Sequence, residues 1–231
     1  MKYLLITGAS AGIGLSAAKL FLDSGYAVIN LSRRACPEKR ALHFTADLSD
    51  PDFLTPIKDE LIKRLEGAEE IVLVHNAARL TNDTVESTSS NVLSRTMEIN
   101  LIASNTLNKY LIPLMKAGSS ILYIGSTLSE KAVPNSFSYV TSKHAVIGMM
   151  RATCQDLTST GIHTSCICPG FTDTEMLREH VPDEFMDSIK EMSSYGRLVD
   201  PGEIAKTILW ASQNPVINGS VLHANLGQIE S

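Results

Sequence analysis

At 231 residues the chain is long enough for one domain with a sizeable core, burying roughly 70 to 75% of its unfolded surface, and two full domains would be crowded. A composition 44% hydrophobic and 19% charged is that of a soluble globular protein, and a net charge of −5 suggests neither a nucleic-acid nor a membrane surface. The first apolar run is too short for a signal h-region and no later run is long enough to span a bilayer, so a cytoplasmic protein is expected.

The first predicted strand, residues 3–6, leads through Thr7-Gly8-Ala9-Ser10-Ala11-Gly12-Ile13-Gly14 into a predicted helix at 13–23. Glycines let the backbone turn tightly and approach a pyrophosphate, whose charge then meets free N–H groups at the helix N-terminus. Gly8, Ser10, Gly12, Ile13 and Gly14 are candidate cofactor contacts on this ground. The spacing Gly-x3-Gly-x-Gly departs from the common Gly-x-Gly-x2-Gly fingerprint but keeps its strand-turn-helix placement. A second strand, 27–31, ends in Ser32-Arg33-Arg34. An NAD site carries a carboxylate here for the ribose 2′-hydroxyl, whereas a 2′-phosphate calls for arginine. With two guanidinium groups in place of the acid, NADP(H) is the expected cofactor; the plainer reading is a solvated basic corner.

A third strand at 42–45 is followed by a helix at 51–65, a strand at 71–74, a long helix at 91–116 and a strand at 120–124. The next helix, 139–158, opens with Tyr139 and Lys143 four residues apart, which stacks them on one face. An ammonium beside a phenol favours the phenolate and suits the phenol to exchange a proton near neutral pH. His144 points away from that face and reads as a solvated or packed histidine. Strand 164–168 carries Cys166 and Cys168 on one side; with Cys36 and Cys154 they show neither a paired framework nor zinc spacing and read as reduced packing residues. His43, His75, His163, His180 and His223 lack metal-ligand spacing as well, and no metal is expected. Residues 174–191 hold six acids around Met176, Leu177, Phe185 and Met186, and read equally as an amphipathic surface helix or as a substrate lid over about 175–197. A helix at 201–212 and a strand at 221–224 complete the series.

Seven strands alternating with helices predict an α/β fold: a Rossmann-type, doubly wound, seven-stranded parallel sheet with helices on both faces, a three-layer α/β/α sandwich. No repeat, low-complexity tract or linker interrupts it, so residues 1–231 read as a single dinucleotide-binding domain with a built-in catalytic site.

With the turn from Gly8 to Gly14, the Tyr139-x3-Lys143 pair, and Ser126 thirteen residues before the tyrosine at a strand end, the chain resembles the short-chain dehydrogenase/reductase family from residue 2 to about 227. Asp47, next to Leu48, resembles the family's adenine-contacting aspartate, and His75-Asn76-Ala77-Ala78 its Asn-Asn-Ala-Gly segment. Asn100 matches the family's helix asparagine, and Pro169-Gly170-Phe171-Thr172-Asp173-Thr174 its Pro-Gly segment with a downstream threonine. The resemblance implies an NADPH-dependent carbonyl reductase or alcohol dehydrogenase acting on a ketone or aldehyde. It implies that Tyr139 donates a proton to the substrate oxygen, that Ser126 hydrogen-bonds that oxygen, that Lys143 steadies the phenolate and holds ribose hydroxyls, and that Asn100 anchors a water relay to Lys143. Arg33, Arg34, Asp47, Leu48, Asn76, Ala77, Ala78, Pro169, Gly170, Thr172 and Thr174 would line the cofactor.

Two departures bear on that transfer. His75 and Ala78 stand where the family has Asn and Gly, which opens the turn beside the nicotinamide ribose to change. Ala224-Asn225-Leu226-Gly227 stands where many relatives have Asp-Gly-Gly. Val133, Pro134, Asn135 and Phe137 point to a substrate with an apolar portion. Two further readings remain: a 3-oxoacyl-(carrier protein) or acyl-thioester reductase, and a non-catalytic NADP(H)-sensing protein. The helices at 91–116 and 139–158 resemble those by which relatives pair, implying a homodimer or homotetramer.

Overall fold

The five central strands are buried along most of their length because both faces of the sheet they form are covered. In the computed structural model, which describes residues 1–228, all seven run parallel in one sheet of order β3-β2-β1-β4-β5-β6-β7. They are β1 (Lys2–Thr7), β2 (Ala27–Ser32), β3 (Leu42–Thr45), β4 (Glu70–His75), β5 (Ser120–Ile124), β6 (His163–Pro169) and β7 (Ser220–Ala224). Period two sends Leu5, Leu73, Ile121 and Tyr123 into one apolar layer and Leu4, Ile6, Val74 and Leu122 into the other. Helices α1 (Gly12–Asp23) and the C-terminal helix Pro201–Ser212 cover one face; α2 (Lys58–Leu65) and the helices Ala103–Leu111 and Phe137–Asp156 cover the other.

Three predicted helices differ from the structure, each for a local reason. Residues 51–57 form successive turns, with the Asp50 carboxylate accepting from Asp52 N–H, and regular helix begins only at Lys58. The predicted helix at 91–116 is α3 (Ser90–Met97), a π-helical turn (Glu98–Ile102) and α4 (Ala103–Leu111), after which Pro113 allows only a 3-10 turn (Ile112–Leu114). The next helix, α5, runs Phe137–Asp156. The segment predicted as one helix over 174–191 is broken into α6 (Glu175–His180) and α7 (Met186–Glu191), because Pro182 has no N–H to continue the first. The last helix, α8 (Pro201–Ser212), has its predicted bounds and begins with a capping box between Asp200 and Glu203.

Strand order reverses between β1 and β4. After β1 the chain crosses one face through α1, and after β4 it crosses the other through α3 and α4, which leaves a crevice between the carboxyl ends of those two strands.

Candidate active site

The glycine turn stands at that crevice. Gly8 and Gly12 take φ of 77° and 54°, where other residues are strained. A Cβ on Gly14 would collide with the Gly8 carbonyl oxygen and stand 2.7 Å from Asn76 Nδ2. Ala11 begins α1 from extended backbone without a side-chain cap, and the first turn contains no acid. The unspent N–H groups and the positive end of α1 therefore face the crevice, which fits a pyrophosphate. Two residues that sequence reading passed over hold the turn. Thr7 Oγ1 accepts from both Asn76 N–H and Ala77 N–H at 3.0 Å, and Asn76 Nδ2 donates to the Thr7 carbonyl at 2.9 Å. Asn30, buried in β2, accepts from Ala9 N–H at 2.9 Å and donates to Ser32 Oγ at 2.8 Å. A polar residue in the apolar run 27–31 was the available signal.

At the outer end of the crevice Arg33 and Arg34 are exposed at the end of β2. Arg34 pairs with Glu175 of α6 at 2.9 Å. Asp47, just beyond β3, folds its carboxylate back onto Ser49 N–H and Oγ at 3.0 and 2.8 Å, and these bonds hold it below the usual carboxylate range. Leu48 is buried in the core. Thr172 Oγ1 donates to the Gly170 carbonyl at 3.0 Å, while Thr174 caps α6 and sets its methyl group over Gly12. The 175–197 segment is tied across the crevice by contact of His180 Nε2 with the Leu80 carbonyl at 3.0 Å, and at its far end by Ser194 Oγ donating to the Gly227 carbonyl at 2.7 Å.

At the inner end Tyr139 and Lys143 share one face of α5 and are 7% and 3% exposed. Lys143 Nζ lies 5.5 Å from the centre of the Tyr139 ring and donates to the Ile124 carbonyl at 2.7 Å. This bond ties the pair to the end of β5, two residues before Ser126. Ser126 opens a 3-10 turn (Thr127–Ser129) packed against α5; its Oγ accepts from Leu128 N–H at 3.1 Å, and its N–H donates to Ser129 Oγ at 3.0 Å. Gly125 is required beneath it, since a Cβ would stand 2.7 and 2.8 Å from the sulfurs of Cys166 and Cys168. Both cysteines are free thiols and pack as expected on one side of β6.

Asn100 sits in the π-helical turn. Its Oδ1 accepts from Arg79 N–H at 2.7 Å, and its Nδ2 donates to the Arg79 carbonyl at 3.0 Å and to Ser142 Oγ at 2.9 Å. The side chain thus binds the residue before Lys143 and the turn after β4, and makes no direct bond to Lys143 itself. Ser142 Oγ in turn donates a hydrogen bond to the Tyr139 carbonyl at 2.8 Å. Asp83, also unread in the sequence, accepts from Ser138 N–H at 3.0 Å and so fastens the start of α5 one residue before Tyr139. His144 is exposed and contacts the Val140 carbonyl through Nδ1, away from the pair. Ala78 does not have a positive φ, so the turn after β4 accepts a side chain there. The C-terminal departure keeps a contact: the Gly170 N–H donates to the Ala224 carbonyl at 3.1 Å, and Asn225 packs on Gly170.

A doubly wound parallel sheet with a glycine turn at its switch point is the architecture of a dinucleotide-binding domain, and the buried tyrosine-lysine pair lies at the end of the same sheet. Residues 8–228 match a family model described as enoyl-(acyl carrier protein) reductase. The chain is 32% identical to protein FixR of Bradyrhizobium diazoefficiens, over 98% of this chain and 86% of that protein. It is 26% identical to the 3-oxoacyl-[acyl-carrier-protein] reductase FabG of Vibrio cholerae, over 98% and 96% respectively. Among solved structures, a short chain dehydrogenase family protein from Francisella tularensis superposes with a TM-score of 0.90 at 26% identity, covering 98% of both chains. ElxO with NADP bound superposes with a TM-score of 0.86, again at 26% identity and 98% of both chains. The chain belongs to the short-chain dehydrogenase/reductase family. It is an oxidoreductase acting on CH–OH or C=O groups of small molecules, with a nicotinamide cofactor. Among the described residues no helix is long and apolar enough to cross a membrane.

Proposed function

We propose that the chain is a cytoplasmic, NADP(H)-dependent carbonyl reductase in which one domain holds the cofactor and carries the catalytic group, with residues 175–197 as its lid. The observation that carries this reading is the burial of Tyr139 beside Lys143, tied by the Ile124 carbonyl to the sheet end that holds Ser126. A bound nicotinamide supplies the hydride. Tyr139 gives its proton to the substrate oxygen, and Ser126 donates a hydrogen bond to that oxygen as negative charge develops on it. Lys143 fixes a positive charge beside the phenol and keeps two further N–H donors for ribose hydroxyls. Asn100 acts through others: it holds the Arg79 turn and Ser142 and so sets the positions of Tyr139 and Lys143. Arg33 and Arg34, in place of the carboxylate of an NAD site, support NADP(H), as does the likeness to NADP-bound ElxO.

Tyr139→Phe tests the assignment. It is expected to bind NADPH as the parent does and to lose roughly 100- to 10,000-fold in turnover of a reducible ketone. Near-parental turnover by this variant would remove Tyr139 from the mechanism. A second reading, 3-oxoacyl-thioester reductase, is favoured by the likeness to FabG, and the family model's description shares only the acyl-carrier part of that substrate. Following NADPH oxidation over diketones, aldehydes, quinones, steroids and acyl thioesters separates the two, and binding without turnover on any of them would favour a sensor.

A further inference from the structure

The end of β2 is tied to the glycine turn by a continuous hydrogen-bond chain. Asn30 accepts from Ala9 N–H and donates to Ser32 Oγ, which donates to the Arg34 carbonyl at 2.6 Å. The backbone that carries the Arg34 guanidinium is therefore held in register with the pyrophosphate turn. From the opposite wall of the crevice Thr174 rests on Gly12, and the next residue, Glu175, pairs with Arg34 at 2.9 Å, although the two are 141 positions apart in the chain. Glu179, four residues further along α6, adds a second carboxylate to the field at Arg34. The arginine that the sequence offers to a 2′-phosphate thus already holds an acid from the 175–197 segment.

We propose that Glu175 is a specificity-determining residue of the cofactor site: it competes with a 2′-phosphate for Arg34, so the phosphorylated cofactor must exchange one ion pair for another, while the unphosphorylated cofactor leaves the Arg34–Glu175 pair closed. This inference rests on the reading of Arg33 and Arg34 as a 2′-phosphate site. The exchange favours the phosphate, which carries up to two charges and three acceptor oxygens against one charge and two oxygens. It still discounts the affinity by what the resident pair was worth, and leaves Glu175 and Glu179 beside a dianion. Both partners are more than half exposed, so the discount is that of a surface pair, about two- to fivefold in Kd at low ionic strength. At 1 M salt, where the screening length is about 3 Å, it disappears.

The test measures the affinity of NADPH and NADH for the parent, for Glu175→Gln, and for Glu175→Gln combined with Arg34→Gln. Glu175→Gln is expected to tighten NADPH about two- to fivefold at low salt and to leave NADH unchanged. The gain is expected to vanish in 1 M salt and in the double variant. An unchanged NADPH affinity in Glu175→Gln, or an equal gain for NADH, overturns the inference. Failure of the underlying reading shows elsewhere, in the parent and in Glu175→Gln alike: both would then bind the two cofactors equally.

Discussion

His75 departs from the Asn-Asn-Ala-Gly pattern that its segment resembles, and its surroundings dictate its protonation state. Asn108 donates from Nδ2 to Tyr123 OH at 2.7 Å, so its oxygen faces His75 Nε2 at 2.8 Å and accepts a hydrogen bond from Nε2–H. Nδ1 is then bare and has no partner among the described residues. Burial pulls the imidazole down to about 4, and the Asn108 bond offsets this only in part. The folded state keeps His75 neutral while the unfolded chain takes up a proton near pH 6.5. Its contribution to stability is therefore present above pH 6.5 and lost as pH falls toward 4, by about 3 kcal/mol at full extent. Glu203, held down to about 2 by Arg197, loses its contribution only at lower pH, so the two effects separate. Urea midpoints measured from pH 7.5 to 4.5 are expected to fall steeply for the parent and less steeply for His75→Asn; parallel profiles would contradict this account. The sequence marked His75 as a departure but not its partners, since Asn108, Tyr123 and Thr153 come from three other elements. Thr7, Asn30, Asp83 and Ser142 went unread for the same reason: each acts across a tertiary contact that no local spacing encodes.

At the scale of elements, α5 is the part that must be placed accurately, and its N-terminus has no cap of its own. Ser136 precedes the helix without a side-chain bond, and Asp83, from the loop after β4, supplies the acceptor for Ser138 N–H. The same two segments exchange backbone bonds, Asp83 N–H to the Asn135 carbonyl and Phe137 N–H to the Asp83 carbonyl, both at 3.1 Å. Asp83→Ala is expected to cost about 1 kcal/mol of stability, as lost caps do, and to lower turnover with little change in NADPH affinity. Asp83→Asn, which keeps an acceptor oxygen, is expected to recover most of both; an Asp83→Ala variant with unaltered turnover would show that α5 is set by packing alone. Hydrophobic periodicity found all seven strands and α1, α5 and α8 to within two residues. It failed where a backbone rule overrode it: at Pro182, which splits 174–191, and at the turns of 51–57. It was also blind to the π-helical turn, because one extra residue per turn around Asn100 leaves the apolar pattern on either side intact.

The arrangement of the whole molecule was legible because alternating strands and helices leave few right-handed solutions for a parallel sheet, and the glycine turn identifies the switch point among them. Assembly is a separate matter, and the outer face of α5 bears on it. Thr141, His144, Gly148, Arg151 and Ala152 are exposed at helical spacing on a helix of 20 residues, about 30 Å long, beside the rod formed by α3, the π-helical turn and α4. Small residues at 148 and 152 let a second backbone approach closely, and Ile102, 42% exposed on the adjoining rod, adds apolar area. A stable pair about a twofold axis needs about 1,200 to 2,000 Å² of buried surface, and an exposed face along these two helices is where it would come from. We therefore expect a homodimer, or a homotetramer built from such dimers, in sedimentation at micromolar concentration. Gly148→Glu probes the face directly: a Cβ there meets nothing within 4 Å and the position is exposed in the isolated chain, so the fold should persist while a buried charge splits the pair. A parent that sediments as a monomer would exclude the assembly, and a Gly148→Glu variant that stays dimeric would move the interface to another face.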